Sequence, residues 1–590
     1  MFLRCTTRKK NGKEHRYWSI VENKRCAADK IVQRPVLYLG EINDQQKSAW
    51  QKTIEIFECG QTQPRTVALF PADRAVEVED QHIVRVKLSE LQLHRPRQWG
   101  ACWLACHLYE ELGLDQFWAE RLPPNRKGTR WDLVLQTLST YRLIDPGSEW
   151  RLHRQWFEQS ALGDLLGADF GQLAEGHKLY ECHDLILKHK AALFDHLTQR
   201  WKDLFNAKFE VLLYDLTSTY FESNPPFPEE DKRKFGYSRD KRPDGVQVVI
   251  ALIVTPEGFP LAYEVMPGNT SDKTTLKRFL EKIEKQYGQA QRIWVMDRGI
   301  PTEETLEGMR KSDPPVLYLV GTPKGRLSKL EEQLKELPWQ QAREGVEVKL
   351  LSQTGEVYVL ALSRDRMNKE RAMRRRQLKW LWSRLKELQG MNLKRDALLM
   401  KLGAARQQAP SAWRLVKVPL PRAKKKKKFE FTLRKDKLRQ VRRREGRYLL
   451  RSNMPGRPPE QLWEFYLQLV QVEQAFKHLK GDLALRPIFH KNEERIQAHI
   501  FVSFLAYCLH VSLGRRLKDL APGLTPRAVL EKFKAMQMID VHLPTTDGRE
   551  VILTRYTQPE ADQRVLLEQL KLKLPEQPPP RITAAQVTAK

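Results

Sequence analysis

The order of apolar periods in the middle of the chain constrains the fold most strongly. FEVLLYDLTSTYF (209–221), VQVVIALIV (246–254) and LAYEVM (261–266) are apolar runs of strand length, the last two split by the turn TPEGF. PGNTSDKTTLKRFLEKIEKQ then shifts to helical spacing, with Ser271 or Asp272 as N-cap. RIWVMD reads as a strand, PTEETLEGMRK as a short helix with proline at its start, and PVLYLVGT as another strand. Three strands, helix, strand, helix, strand describes a mixed sheet opened by hairpins and closed by crossover helices.

Asp215 lies inside the first of these strands. A carboxylate there loses hydration, at a cost of several kcal/mol unless a cation or donor compensates. Asp297 ends RIWVMD, at the rim of the sheet where ligands of α/β folds bind. A third acid stands in RPPEQLWEFYLQLVQVEQAFKHLKG (457–481), which reads as one long amphipathic helix. Tyr466, Glu473 and Lys480 are seven apart and so share a face of it. Each residue alone has a plainer explanation: a hydrogen-bonded structural acid for Asp215, surface charge for Glu473 and Lys480. Together they suit phosphodiester chemistry. Two Mg²⁺ ions about 3.5–4 Å apart clamp attacking and leaving oxygens, and hard cations take carboxylate ligands.

The flanks differ in period. Residues 1–95 alternate apolar and polar in HRYWSIVE, RPVLYLGEI, RTVALF and HIVRVKL, a β-rich region. Residues 96–205 carry helical spacing broken by prolines. The sheet region covers 206–325. A basic insertion at 326–454 follows, in which 421–450 hold fourteen Lys or Arg against three acids. Its short flanking strands, GEVYVLAL and RYLLRSN, suggest a separate inserted domain. Residues 455–520 return to the core with the Glu473 helix, and 521–590 end in a Pro-rich tail expected to be disordered. The expected class is a multidomain α/β chain.

A net charge of +29 favours a polyanion partner, nucleic acid first and an anionic membrane surface second. The longest apolar run, IFVSFLAYCLHVSLG, falls short of the roughly 20 residues needed to span a bilayer, and MFLRCTTRKK lacks a signal-peptide core. Seven scattered cysteines suit a reducing cytoplasm. Cys102 and Cys106, beside His107, fit one face of a buried helix better than half a zinc site. No G-x-S-x-G, G-x-G-x-x-G or Walker A pattern supports another enzyme class.

YDLTSTYF, VMDRG and Y-x2-L-x3-E-x6-K resemble the three motif blocks of DDE transposases of bacterial insertion sequences. The similarity is to the branch with a Tyr-Arg-Glu-Lys signature and an insertion before the glutamate. PGNTSD, LRPIFHKNEERIQAHIF and the N-terminal RKKNGKEHRYWSIVE…VLYLGEI extend it over most of the chain. The resemblance implies a ribonuclease H-like core with Asp215, Asp297 and Glu473 holding two Mg²⁺ ions, for which Mn²⁺ could substitute. It implies double-stranded DNA as partner, both terminal inverted repeats and target, a homodimer on DNA, no membrane, and a bacterial, nucleoid-associated location. Tyr466 and Lys480 match positions that contact DNA. Leu469 stands where the family has arginine, so Arg298, Lys477 or an insertion residue would supply that phosphate contact. A nuclease or junction resolvase with the same triad is a rival, weakened by the large insertion. A non-catalytic DNA-binding descendant is another, weakened by the presence of all three acids. His490 and His499, around RIQAH, are expected to cap helices or meet the DNA backbone rather than bind metal. Trp339, Trp380, Trp382 and Trp413 are expected mostly to pack.

Overall fold

The computed structural model describes residues 2–10, 13–25, 31–42, 46–47, 50 and 86–583, apart from 127, 224, 226, 241, 271, 288–291, 298, 323–325, 327–329, 331, 335, 354, 392, 420–429 and 547. The chain forms two compact units. The first comprises Met1–Thr6, Arg16–Thr275 and Val470–Lys590, the second Thr7–His15 and Leu276–Leu469.

The alternating N-terminus forms a three-stranded sheet of Phe2–Lys10, Lys13–Arg25 and Ile31–Gly40. RTVALF lies outside the described residues. Of HIVRVKL, residues 82–85 lie outside the described residues, Val86 makes an isolated bridge to Thr545 and Leu88 opens a short 3-10 turn.

In the first unit, helices Gly100–Glu111, Trp131–Ile144 and Gly176–Ile186 pack with Glu493–Leu520. Apolar residues surround most of the axis of Glu493–Leu520, which is why it is a core helix. It is the one helix among the described residues long and apolar enough to cross a membrane, yet 94% of its most apolar window is buried in the protein. Asn492 caps its start by accepting from the Glu494 amide at 2.8 Å. Cys102 and Cys106 are buried on Gly100–Glu111 as free thiols. Strands Val211–Tyr220, Gln247–Val254 and Pro260–Pro267 form an antiparallel meander beside these helices in the same unit.

The C-terminal residues contradict one expectation. Gln92–Gln98, Gln537–Pro544, Glu550–Tyr556 and Arg581–Ile582 make a four-stranded sheet. Gln92–Gln98 is the edge strand, the position that suits Pro96, and the register shifts near that proline; at its end Gln98 also bridges Ser160. The tail is not disordered over 574–583. The Gln577 side chain accepts from the Tyr556 amide at 3.0 Å and donates to its carbonyl at 2.9 Å, and Ile582 pairs with Val551. A proline-rich segment still has carbonyls and side chains to offer an open edge. Arg97, 1% exposed, locks this sheet to the helices through Asp164 at 2.8 Å and Asp540 at 3.0 Å.

The second unit is built on a six-stranded mixed sheet in the order Gln340–Arg343, Val346–Gln353, Glu356–Ser363, Arg447–Ser452, Leu317–Gly321, Ile293–Met296. Only the last pair is parallel, bridged by helix Glu303–Lys311. GEVYVLAL and RYLLRSN are thus interior strands of this sheet, not the edges of a separate inserted domain, because each finds its antiparallel partner there. What projects from the sheet is helical. Arg364–Gly390 and Arg395–Gln408 close over Leu381, Leu385, Leu388, Leu402, Ala405 and Val416, with Trp382 and Trp413 packed against them. Trp339 packs against the cluster of Leu330, Leu334, Tyr358, Leu360 and Leu449, while Trp380 is 39% exposed.

The segment expected as one long helix is two, Pro459–Leu467 and Leu469–Lys480, broken at Gln468. The first packs on the six-stranded sheet and the second belongs to the first unit from Val470 on, so the chain changes partners at the break. Tyr466 therefore does not share a helix with Glu473 and Lys480.

Candidate active site

Strand Val211–Tyr220 is buried at every position but two, Asp215 and Tyr220, which are half-buried. Asp215 pairs across the meander with Leu252, among apolar neighbours. Its Oδ1 accepts from the Leu216 amide at 2.8 Å. A half-buried carboxylate on such a strand gives up part of its hydration.

Asp297 follows four buried residues, Ile293–Met296, and is itself exposed. Gly299, at φ 93°, turns the chain behind it in a conformation that favours glycine. The Tyr466 hydroxyl donates to Asp297 Oδ1 at 3.4 Å. Gly321, at the end of the neighbouring parallel strand, makes this approach possible. A Cβ at Gly321 would lie 2.7 Å from the Tyr466 hydroxyl and 3.3 Å from Asp297 Oδ1. Tyr466 is steadied by the rings of Tyr448 and Trp463, with centroids 6.1 and 6.2 Å away.

Glu473 is exposed on Leu469–Lys480, opposite the buried Val472, Ala475, Phe476 and Leu479. Lys477, one turn on, is also exposed. Leu469 is buried, so an arginine there would need rearrangement. Lys480 is half-buried, its Nζ 2.9 Å from Asp240 Oδ1. Burial pushes the Lys480 ammonium below the usual lysine range, while Asp240 pulls the other way. Arg486 pairs with the other oxygen of Asp240. The loop SRDKRPDG is thereby tied to the C-terminal end of the Glu473 helix. Arg298 lies outside the described residues.

Asp215 and Glu473 thus fall in the first unit, and Asp297 and Tyr466 in the second. Within the second, Tyr466, Asp297 and Gly321 converge. Within the first, Lys480, Asp240 and Arg486 converge.

Two features carry no sequence pattern. One is the Asp240 clamp, since its partners are 240 and 246 residues away. The other lies behind the Asp297 strands. Glu356 accepts from Arg451 Nε at 2.7 Å and also meets Tyr318 and Arg310, while Arg451 Nη1 reaches Glu303 Oε2 at 2.7 Å. Burial works against the Arg451 charge, yet Glu356 and Glu303 hold its guanidinium above the usual range. Burial and Glu356 push the Tyr318 phenol up.

Comparison with known proteins gives two family matches. The profile described as a transposase DDE domain matches residues 206–509, and that of the IS1634 family transposase N-terminal domain matches residues 3–56. No curated protein matches the chain. Among solved structures, the chain is similar to a cryo-EM structure of the piggyBac transposase synaptic complex with hairpin DNA. That similarity has a TM-score of 0.33 and 10% identity, over 75% of this chain and 82% of that one. The DDE match takes in all three candidate acids and more than half of the sequence: the chain belongs to the DDE transposases of bacterial insertion sequences, enzymes of DNA transposition.

Proposed function

We propose that Asp215, Asp297 and Glu473 are the metal-binding triad of a ribonuclease H-like core that cuts the inverted-repeat ends of its own element and joins them to target DNA. The donor set fits: three carboxylates suit two Mg²⁺ ions, with Mn²⁺ as a substitute. When bound, the ions supply Lewis-acid stabilisation to the attacking and leaving oxygens of phosphodiester exchange. The observation that carries the reading is Asp297, exposed just past a buried strand, with the Tyr466 hydroxyl on it and the bare Cα of Gly321 leaving room beside it.

The chain's own residues then have distinct tasks. Tyr466 orients the Asp297 carboxylate and, being half-buried, leaves one edge for DNA. Lys477 offers an exposed charge one turn beyond Glu473. Asp240 holds Lys480 and Arg486 as a phosphate oxygen would, so incoming DNA exchanges with Asp240 for these cations. Arg298, next in sequence to Asp297, supplies a further phosphate contact. The helix Arg364–Gly390 has no buried residue over 364–380, and Lys369, Arg375, Arg376 and Lys379 are exposed there. It is the proposed main DNA-backbone surface, giving affinity that falls steeply with salt. Water and then the freed 3′-hydroxyl are the nucleophiles, with no covalent enzyme intermediate. Two ends must be joined, so the active species on DNA is a homodimer.

The test is excision from a plasmid carrying the gene and its native flanks. Glu473→Gln should abolish excision, a loss of at least about 10³-fold, while binding to the flanking DNA persists. Excision at the wild-type frequency in this variant would remove Glu473 from the triad.

A further inference from the structure

A second cluster lies in the first unit and contains none of the triad residues. Glu149, at the start of a short helix, is surrounded by His183 of helix Gly176–Ile186, His490 of the loop before Glu493–Leu520, and His499 of that helix. All four side chains are buried, and one ligand atom from each lies within 4.8 Å of the others. His490 and His499 thus neither cap helices nor face DNA.

The distances are the informative part. Glu149 Oε1 is 3.3 Å from His499 Nδ1, 3.4 Å from His490 Nε2 and 3.5 Å from His183 Nε2. All three are long for hydrogen bonds to a carboxylate, which run about 2.7–2.9 Å when charge-assisted. They match the three edges that meet at one corner of a tetrahedron: metal–ligand bonds of about 2.0–2.1 Å give edges of about 3.3–3.4 Å.

Proton placement agrees. His183 Nδ1 lies 2.9 Å from the Leu179 carbonyl, which can only accept, so Nδ1 carries the proton. In the neutral ring Nε2 is then bare, and it faces a carboxylate oxygen without a hydrogen-bond partner. A lone pair against an anion is unfavourable unless a cation lies between them. A metal-bound histidine characteristically donates its other N–H to a carbonyl in this way. His499 Nδ1 is 3.5 Å from Arg142 Nη2, a pure donor, so that contact too calls for a bare nitrogen. Arg142 is the opposing feature, with Nη2 3.9 Å from Glu149 Oε1. Its Nη1 donates to the Ala484 carbonyl at 3.2 Å, which holds the other end of the guanidinium.

We infer that Glu149, His183, His490 and His499 form a closed, four-ligand tetrahedral site for a divalent transition metal of the zinc class. Three imidazoles and a carboxylate suit Zn²⁺ over Mg²⁺ or Ca²⁺. Four protein ligands leave no open position, so the role is structural: the ion pins the segment around residue 149 and helix Gly176–Ile186 to the core helix that follows the Glu473 helix.

The experiment uses the full chain, purified, stripped with chelator and reloaded with Zn²⁺ or Co²⁺. Expected are about one tightly held zinc per chain after desalting, the intense visible bands of tetrahedral Co²⁺, and a higher melting midpoint with zinc. His490→Gln should lose at least tenfold in zinc affinity, roughly the effect of losing even an outer-sphere partner, and should lose the zinc-dependent rise in melting. Asp297→Asn should keep the zinc, which separates this site from the triad. Folded wild type that retains no zinc and gives only octahedral Co²⁺ spectra would show a hydrogen-bonded polar network and overturn the inference. Equal zinc retention by a folded His490→Gln would also overturn it. If His490→Gln does not fold, the wild-type Co²⁺ spectrum decides.

Discussion

Each unit buries a carboxylate, and they neutralise it differently. In the first, Glu149 faces three histidines and one arginine. In the second, Glu356 faces Arg451, Arg310 and Tyr318. Residues 276–469, the larger segment of the second unit, contain no histidine; His15 lies in its short N-terminal segment. An arginine network keeps its charge at every working pH and serves only to hold structure. Imidazoles change charge between acid and neutral pH and present lone pairs to metals. The first unit is therefore the one whose stability answers to protons and metal ions, and the second answers to the integrity of its ion pairs.

The sharpest way to break this contrast is Arg451→Met. It leaves Glu356 and Glu303 short of a partner next to the strands that carry Asp297. A loss of about 3–5 kcal/mol is expected in denaturant melts, with hydrogen exchange rising in Leu317–Gly321 and not in Glu493–Leu520. Equal exchange in both would mean the units do not respond separately.

Acid sharpens the contrast from the other side. Burial, and then the neighbouring His478 ring, pushes His510 down to about 3 from an ordinary 6.5. The unfolded chain then holds more protons on this residue than the folded one across that window. Stability rises with pH there and is lost on acidification, by up to about 1.4 kcal/mol per pH unit. Hydrogen exchange should show Glu493–Leu520 loosening as pH falls below about 6.5. In the second unit, hydrogen bonds from Arg451 hold the Glu303 carboxyl below its usual range. That contribution is present above the ordinary glutamate value of about 4.3 and fades only below it. Simultaneous loosening of both units at pH 6 would contradict the assignment.

Gly321→Ala tests the approach at Asp297. The added Cβ would meet the Tyr466 hydroxyl at 2.7 Å. A cost of about 1–3 kcal/mol is expected, with excision falling as Tyr466 is pushed off the acid. Tyr466→Phe is the gentlest change. It removes a long, exposed hydrogen bond, so stability should move by less than about 0.5 kcal/mol. Excision should still drop roughly tenfold, about 1.4 kcal/mol in the barrier. Unchanged excision would confine Tyr466 to packing.

The core's element order was legible because its strands and helices announce themselves by period: the run from Val211 to Gly321 has three strands, helix, strand, helix, strand, as its apolar spacing indicates. The candidate acids were legible because a charge in an apolar strand, or at its end, stands out against that period. Gln468 was not: nothing in LQLVQV marks a break, and the helix ends where its packing partner changes. The strand Gln92–Gln98 and the tail at 575–582 were not legible either, since each exists only through pairing with a distant edge.

The sequence by itself determined the alternation of strand and helix, the positions of Asp215, Asp297 and Glu473, and the excess positive charge, because these are properties of local spacing and composition. The tertiary structure alone decided that GEVYVLAL and RYLLRSN extend the sheet, that Asp240 gathers Lys480 and Arg486, and that His490 and His499 turn inward to meet Glu149 and His183. Those outcomes depend on which backbone edge or carboxylate lies within a few ångströms, and partners hundreds of residues apart leave no periodic trace in the chain.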